Sequence, residues 1–203
     1  MTVYIDTEDL KETLGISNTD FTDDDLENAA PSASGIVDSI CGRTFGQDSA
    51  DTTRYFAPED PTLLGFGRDD LVSLTSVAID RDGDGTYEET LTLDTDFRLG
   101  PPNAAAHGEP YAWIEAMPGQ NFVTSGGYVK VVGKFGWPAV PAEVAEATRI
   151  ITVKLLRRKR EAPFAVVFDA SGGSSFIGRN DPEVRALLAR FVKKPAIGSP
   201  RLG

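Results

Sequence analysis

The chain of 203 residues has a single cysteine, a single histidine and no apolar run of the ~18 residues that a membrane-spanning helix needs. Cys41 has no second cysteine to pair with, which fits a reducing compartment. Cys41 lies on the apolar face of a predicted helix, so we expect its side chain to be a buried structural thiol rather than a nucleophile. The usual zinc sites are excluded unless carboxylates supply most of the ligands. The start of the chain has neither a basic region nor an apolar core, so we expect no signal peptide.

The sequence also lacks a catalytic signature. No Gly-x-Ser-x-Gly elbow is present, and the glycine–serine loops at 125–127 and 171–175 carry no phosphate-binding lysine. His107 lies in a predicted loop, where an exposed side chain is expected. We therefore predict that the protein is not an enzyme. A hydrolase that uses His107 remains an alternative, and it would lose its activity in His107→Ala.

Basic residues are scarce at the start of the chain and abundant at its end. Residues 1–60 carry 14 acidic and 3 basic side chains, residues 141–203 carry 6 and 12, and the whole chain has a net charge of −11. The simple interpretation of this imbalance is that the folded protein has two solvated faces of opposite charge. The alternative is a subunit whose acidic start meets the basic end of a neighbour in a head-to-tail ring. A chain this acidic is not expected to bind DNA through its phosphates.

Apolar residues at helical spacing predict two helices near the start of the chain, over 6–14 and 23–41. Thr22 is the expected N-cap of the second helix, and Asp25 stands where the partner of a capping box is found. Pro31 removes a backbone donor from this helix, so we expect it to kink or interrupt the helix.

The last quarter of the chain returns to helical spacing. A helix over 141–161, opened by Pro141, ends in the basic run 157–160. That run could contact nucleic acid, but an interaction with the helix dipole or with the acids of a neighbour is favoured. Asp181 is expected to cap a third amphipathic helix. The Pro- and Gly-rich tail 193–203 is expected to be disordered or ordered by a partner.

Between these helices the apolar residues recur at every second position instead of every third or fourth. This spacing predicts five or six short strands in a small antiparallel sheet or barrel-like unit. Gly133, Gly136 and Pro138 are expected to break the last strand. The fold class is therefore α+β: a bundle of N- and C-terminal helices with an inserted β-rich domain and an extended C-terminal tail. We predict the helical body at 1–42 and 138–161, the insertion at 43–137, and a loop, short helix and tail at 162–203.

One acidic turn inside the β-rich part matches half of a calcium-binding loop. Asp80, Asp82 and Asp84 stand at the first, third and fifth positions, followed by Gly85. Leu91 occupies the twelfth position, where the bidentate glutamate belongs, and the flanks read as strands. A hairpin turn is the favoured interpretation. A small β-rich binding module that holds a divalent cation weakly at this turn is the alternative.

Several segments, in this order and spacing, resemble the head–tail connector (adaptor) proteins of tailed phages. The N-terminal helix pair closes in Cys-Gly-Arg-Thr-Phe, and a strand ending in Gly-Lys-Phe-Gly-Trp leads into Val-Pro-Ala-Glu-Val-Ala-Glu-Ala. The resemblance covers roughly residues 5–160 and 181–192. The matching segments lie at 14–16, 25–45, 94–101, 111–114, 129–147 and 181–188.

The resemblance implies a structural virion protein of the neck, assembled in the host cytoplasm. Members of this family form a ring, commonly of twelve subunits, beneath the portal. The ring continues the DNA channel and receives a tail-side neck or tail-terminator protein. By this resemblance we expect helices to build the ring, the C-terminal tail to reach the portal, and acidic residues to let DNA pass without sequence-specific binding. No cofactor and no membrane are implied.

Candidate contact residues come from the strand-to-helix junction, the basic run and the C-terminal end. They are Phe45, Phe135, Trp137, Arg157, Arg158, Arg160, Leu188, Phe191, Lys193, Lys194 and Ile197.

Overall fold

A computed structural model describes residues 2–14, 21–123, 127–161 and 181–193. The fold is α+β, as the sequence predicts. The chain divides into two compact units: a helical unit, Met1–Gly46 with Val140–Lys193, and a β unit that contains Gln47–Ala139. No helix in the described ranges has the length and apolar character needed to cross a membrane.

The helical unit brings together helices from the N-terminal and the C-terminal parts of the chain. The second helix packs along the third, and the fourth packs against the third. The apolar stripe of the second helix is buried in this contact because its small and branched residues recur every three or four positions. The helices are α1 (Thr7–Leu14), α2 (Asp23–Cys41), α3 (Ala142–Glu161) and α4 (Pro182–Leu188).

Local sequence signals set both ends of α2. The Thr22 hydroxyl accepts from the Asp25 N–H at 3.3 Å, and the Asp25 carboxylate accepts from the Thr22 N–H at 3.1 Å, which confirms the capping box. Gly42 ends the helix in the left-handed region, at φ 67°. The interruption expected at Pro31 does not occur, since α2 is continuous. Proline costs a helix interior about 3 kcal/mol, and burial of the apolar stripe offsets that cost.

The first residues of the chain are held against the end of α2 by a buried tyrosine. The Tyr4 hydroxyl donates to the Asp38 carboxylate at 2.5 Å and accepts from the Phe45 N–H at 2.9 Å. Burial, followed by the Asp38 hydrogen bond, raises the pKa of Tyr4, so the phenol stays protonated. The ring of Phe45 also makes edge contacts with Tyr4 and Phe191, with centroids 5.8 and 5.7 Å apart.

The β unit contains two antiparallel sheets. One has the order β1-β7-β3-β4 and the other the order β2-β6-β5. Their buried faces contribute to one hydrophobic core, which includes Phe56, Phe66, Phe97, Ile114 and Phe135. The strands are β1 (Thr52–Phe56), β2 (Leu63–Gly65), β3 (Leu71–Ile79), β4 (Glu89–Leu91), β5 (Phe97–Gly100), β6 (Trp113–Ala116) and β7 (Val129–Phe135).

The structure corrects the sequence analysis at two places in this unit. Gly133 does not break the last strand: β7 continues to Phe135, and Gly133 pairs with Thr52 on one side and Leu74 on the other. The glycine is required because a Cβ there would lie 2.2 Å from the Ser73 carbonyl oxygen. The strand β2 was missed, because its three residues become a strand only by pairing with β6.

Candidate interaction surfaces

The junction between β7 and α3 is fixed by a buried tryptophan. Trp137 is 5% exposed, and its Nε1–H donates to the Asp70 carboxylate at 3.2 Å. Asp70 itself is fully buried, and its backbone carbonyl accepts from the Gly136 N–H at 2.7 Å. The indole therefore donates a hydrogen bond to a buried polar group and fixes the chain as it leaves the sheet.

Five of the predicted contact residues belong to the cores of the two units. Their side chains are at most 5% exposed, so any influence on an interface acts by shaping the subunit rather than by direct contact. Arg157 and Arg158 are exposed, and the Lys193 N–H donates to the Cys41 carbonyl at 2.8 Å. The side chain of Arg160, and the whole of Lys194 and Ile197, lie outside the described residues. The five core residues are Phe45, Phe135, Trp137, Leu188 and Phe191.

Part of the charge asymmetry is satisfied inside a single chain. Lys159, near the end of α3, contacts the Asp25 carboxylate at the start of α2. This Lys159 contact, followed by the hydrogen bond from the Thr22 backbone, lowers the pKa of Asp25. Lys11 pairs with Asp23 at 2.6 Å. The acidic start and the basic end of the chain therefore meet at Asp25 and Lys159 within the helical unit, an arrangement that the interpretations of the charge count did not include.

A groove between α1 and α3 forms a concave surface on the helical unit. Its volume is about 330 Å³. We call its apolar lining the floor: the almost fully buried Leu10 from α1, and the partly buried Ile150 and Val153 from α3. Its charged lining, which we call the rim, has three basic residues and one acid. We call this surface the α1–α3 groove; its rim residues are Glu146, Arg149, Lys154 and Arg157.

The acidic turn between β3 and β4 is built around one buried carboxylate. Asp80 is 2% exposed and accepts from the Gly83 N–H at 2.7 Å and from the Gly85 N–H at 2.9 Å. Its oxygens lie within 4.8 Å of those of Asp82 and Glu88, so the acids that converge differ from the predicted set, in which Asp84 was the third. Both Asp80 oxygens hold the backbone of the turn, which favours the hairpin-turn interpretation over a cation site.

This interpretation predicts that Asp80→Asn lowers the free energy of unfolding by about 1–2 kcal/mol, with or without Ca²⁺. An asparagine has one side-chain oxygen and cannot accept from both Gly83 and Gly85 through separate oxygens. Chemical denaturation followed by circular dichroism measures the change. Asp84→Asn is the matched control: the exposed Asp84 side chain accepts from the Thr86 N–H, which one asparagine oxygen can also do, so near-neutral stability is expected. A Tm that rises with Ca²⁺ in the wild type, but not in Asp80→Asn, would establish the cation site instead.

Three tyrosines gather on the exposed side of the larger sheet, a feature that the sequence analysis did not identify. Tyr55 and Tyr128 are 55% and 51% exposed, and the rings of Tyr55 and Tyr87 have centroids 5.6 Å apart. The Lys130 ammonium lies 5.7 Å from the centre of the Tyr87 ring. Lys130 alternates with the buried Val129 and Val131 along β7 and so lies on the outer face. The tyrosines come from three separate segments and meet only in the folded sheet.

The lone histidine and the lone cysteine differ sharply in environment. His107 ends a short 3-10 turn, Ala105–His107, and is exposed. Cys41 is fully buried at the end of α2, and burial raises the pKa of its thiol to about 12. A protonated, inaccessible thiol is a poor nucleophile.

Comparisons with known proteins locate the same fold in virus-like particles. No family model and no curated protein matches the sequence. Among solved structures, a chain from the neck of an empty gene transfer agent (GTA) particle, computed with C6 symmetry, matches with a TM-score of 0.57 at 14% identity. A chain from the neck of the native particle, computed with C12 symmetry, matches with a TM-score of 0.56 at 16% identity. The fold is that of GTA neck chains.

A third chain, from the virion of the native GTA particle, matches with a TM-score of 0.58 at 15% identity. Each of the three alignments covers 98% of this chain and 96% of the other. The likeness therefore extends over the helical unit and the β unit together, rather than over one of them.

Proposed function

We propose that the protein is a structural component of a virion neck, a head–tail connector that forms a ring between the portal and the tail and continues the DNA channel. The observation that carries this proposal is the shared fold with GTA neck chains over nearly the whole length of both chains. The motifs that resemble tailed-phage connectors support it independently. The buried Cys41, whose thiol stays protonated, is unsuited to act as a nucleophile, which agrees with a structural role.

The acidic composition suits a channel through which DNA moves. With a net charge of −11, the ring would repel phosphates unless basic residues were concentrated at the lumen. We propose that the lumen is lined mainly by acidic side chains, so that packaged DNA passes without adhering. The C-terminal tail, with Lys193, Lys194 and Ile197, is proposed to contact the portal, and a tail-side neck or tail-terminator protein to bind the opposite end.

The test is the mass of the assembly, with and without the portal protein. Light scattering coupled to size-exclusion chromatography, followed by negative-stain imaging, should show a closed ring of about twelve chains, the ring size that is common in the connector family. The measurement includes the portal protein, so that a ring that closes only on contact with the portal is also detected. A chain that remains monomeric with the portal present contradicts the proposal, and an imaged ring with a mainly basic lumen contradicts the proposed channel lining.

The tail provides a matched control for the portal contact. A variant that ends at Lys193 keeps the hydrogen bond between its backbone and Cys41, and therefore the anchored end of the helical unit. It should fold like the wild type but lose portal binding. Undiminished portal binding by this variant would place the contact elsewhere.

A further inference from the structure

The rim of the α1–α3 groove contains a base that no described acid neutralises. Arg149 pairs with Glu146 at 3.2 Å, and Lys154 contacts Asp181. Arg157 is exposed and makes no ion pair with any other residue that the structure describes. Arg158, next to it, is exposed and equally without a described ion pair. The groove therefore presents an apolar floor beside a positive charge that pairs with no acid in the described part of the chain.

The exposed side of the first half of α2 carries the complementary chemistry. Asp24 and Glu27 are exposed, and within the described ranges neither forms an ion pair. The exposed Asn28 and the partly buried Pro31 lie on the same face, because the four positions are spaced i, i+3, i+4 and i+7. This face, which we call the α2 acidic face, offers two carboxylates and one apolar ring on a capped helix.

A ring joins two different surfaces of the same subunit, so each interface must match one face with another. The two exposed bases and the two exposed acids meet that requirement: they belong to separate helices, α3 and α2, and have opposite sign. Burial of the apolar floor at the interface would contribute affinity. The opposite charges would fix the register of the two subunits and would disfavour contacts between surfaces of the same charge.

We propose that in the assembled ring the α1–α3 groove of one copy receives the α2 acidic face of the next copy. Asp24 and Glu27 pair with Arg157 and Arg158, and Pro31 covers the apolar floor. This inference rests on the proposed ring and names the interface that closes it. The mid-helix proline, which weakens α2 in an isolated chain, then has a place at the contact.

A charge exchange tests the pairing. Arg157→Glu and Glu27→Arg should each weaken association of the subunits about tenfold, because each places like charges opposite one another. The two changes in one chain should restore association to within a few-fold of wild type. Light scattering over a concentration series gives the association constants, and circular dichroism confirms that the exposed substitutions leave the fold intact.

Disulfide cross-linking tests the geometry directly. A variant with Ile150→Cys is mixed with a second, differently tagged variant with Asn28→Cys; under oxidation they should form a cross-linked pair. The native Cys41 does not interfere, since it is fully buried. Ser39→Cys, exposed on the same helix but roughly 16 Å further along it, is the matched control and should not cross-link to Ile150→Cys.

The outcomes separate this inference from the proposed function. If the wild type forms no ring with the portal present, the proposed function fails and the interface with it. If rings form but tolerate both charge changes, and Ile150→Cys does not cross-link to Asn28→Cys, this interface is wrong while the ring stands. If Ile150→Cys is protected from alkylation in monomers as well as in rings, another part of the same chain covers the groove, and the inference is overturned. Restoration by the double variant together with the specific cross-link supports it.

Discussion

Trp137→Ala is expected to lower the free energy of unfolding of the β unit by about 3–5 kcal/mol, the range for removal of a buried large aromatic side chain. The indole is 5% exposed, so its loss leaves a cavity, and the Asp70 carboxylate loses a donor in a fully buried position. Both effects act at the junction that leads from β7 into α3. Denaturant unfolding followed by far-ultraviolet circular dichroism measures the change without relying on tryptophan fluorescence.

The second tryptophan of the chain is the matched control for this substitution. Trp113 in β6 is only half-buried, so Trp113→Ala should cost clearly less than Trp137→Ala. Trp137→Phe separates the two causes, because it keeps most of the ring volume and removes the donor to Asp70. We also expect Trp137→Ala to reduce ring formation. If this variant forms normal rings and infectious particles, the role assigned to the junction is wrong.

Gly133→Ala is expected to destabilise the β unit by about 3 kcal/mol or more, at the upper end of the range for overpacked sites. The new methyl group would lie 2.2 Å from the Ser73 carbonyl oxygen and 3.1 Å from a methyl carbon of Leu71. Ser73 contributes a backbone atom of the neighbouring strand, so relief requires β3 and β7 to separate. Urea unfolding of the variant, followed by circular dichroism, measures the loss.

Gly65→Ala is the control, because it makes the same chemical change inside another strand. No atom lies within 4 Å of a Cβ built at Gly65, and its backbone is not in the left-handed region. Stability should therefore stay the same or rise by up to about 1 kcal/mol, since alanine is less flexible in the unfolded chain. Equal losses in the two variants would show that the close approach of Ser73 to Gly133 has no energetic importance.

Helix ends were predictable because the groups that form them are close in sequence. Thr22 and Asp25, which form the capping box of α2, are three residues apart. Asp181 caps α4 by accepting from the backbone N–H groups that lie two and three residues later in the chain. The apolar period of α2 also located its buried stripe. Pro31 shows the limit of such reasoning, because the backbone cost of a proline is local whereas the packing that offsets it comes from α3, more than a hundred residues away.

The candidate surfaces were less predictable, because exposure depends on contacts that the sequence does not display. Phe45 and Phe191 looked like contact residues, yet they face each other inside the helical unit. The sequence suggested that the alternating Asp80, Asp82 and Asp84 converge in the acidic turn. In the structure Glu88, rather than Asp84, lies close to Asp80 and Asp82. In each case the folded backbone, rather than the spacing in the sequence, decides which side chains come together.

The sequence by itself determined the α+β class, the helix caps and the imbalance of charge, since composition and spacing of a few residues are enough for each. The tertiary structure alone decided that the larger sheet is completed by β7 beside β1 and β3, and that Trp137 binds Asp70, 67 residues earlier. It also decided which charges stay exposed. Lys159 is neutralised by Asp25 in the same chain, whereas Arg157, two residues earlier, remains exposed. The physical reason is that pairing across long sequence separations follows from the packing of whole elements, which no local pattern specifies.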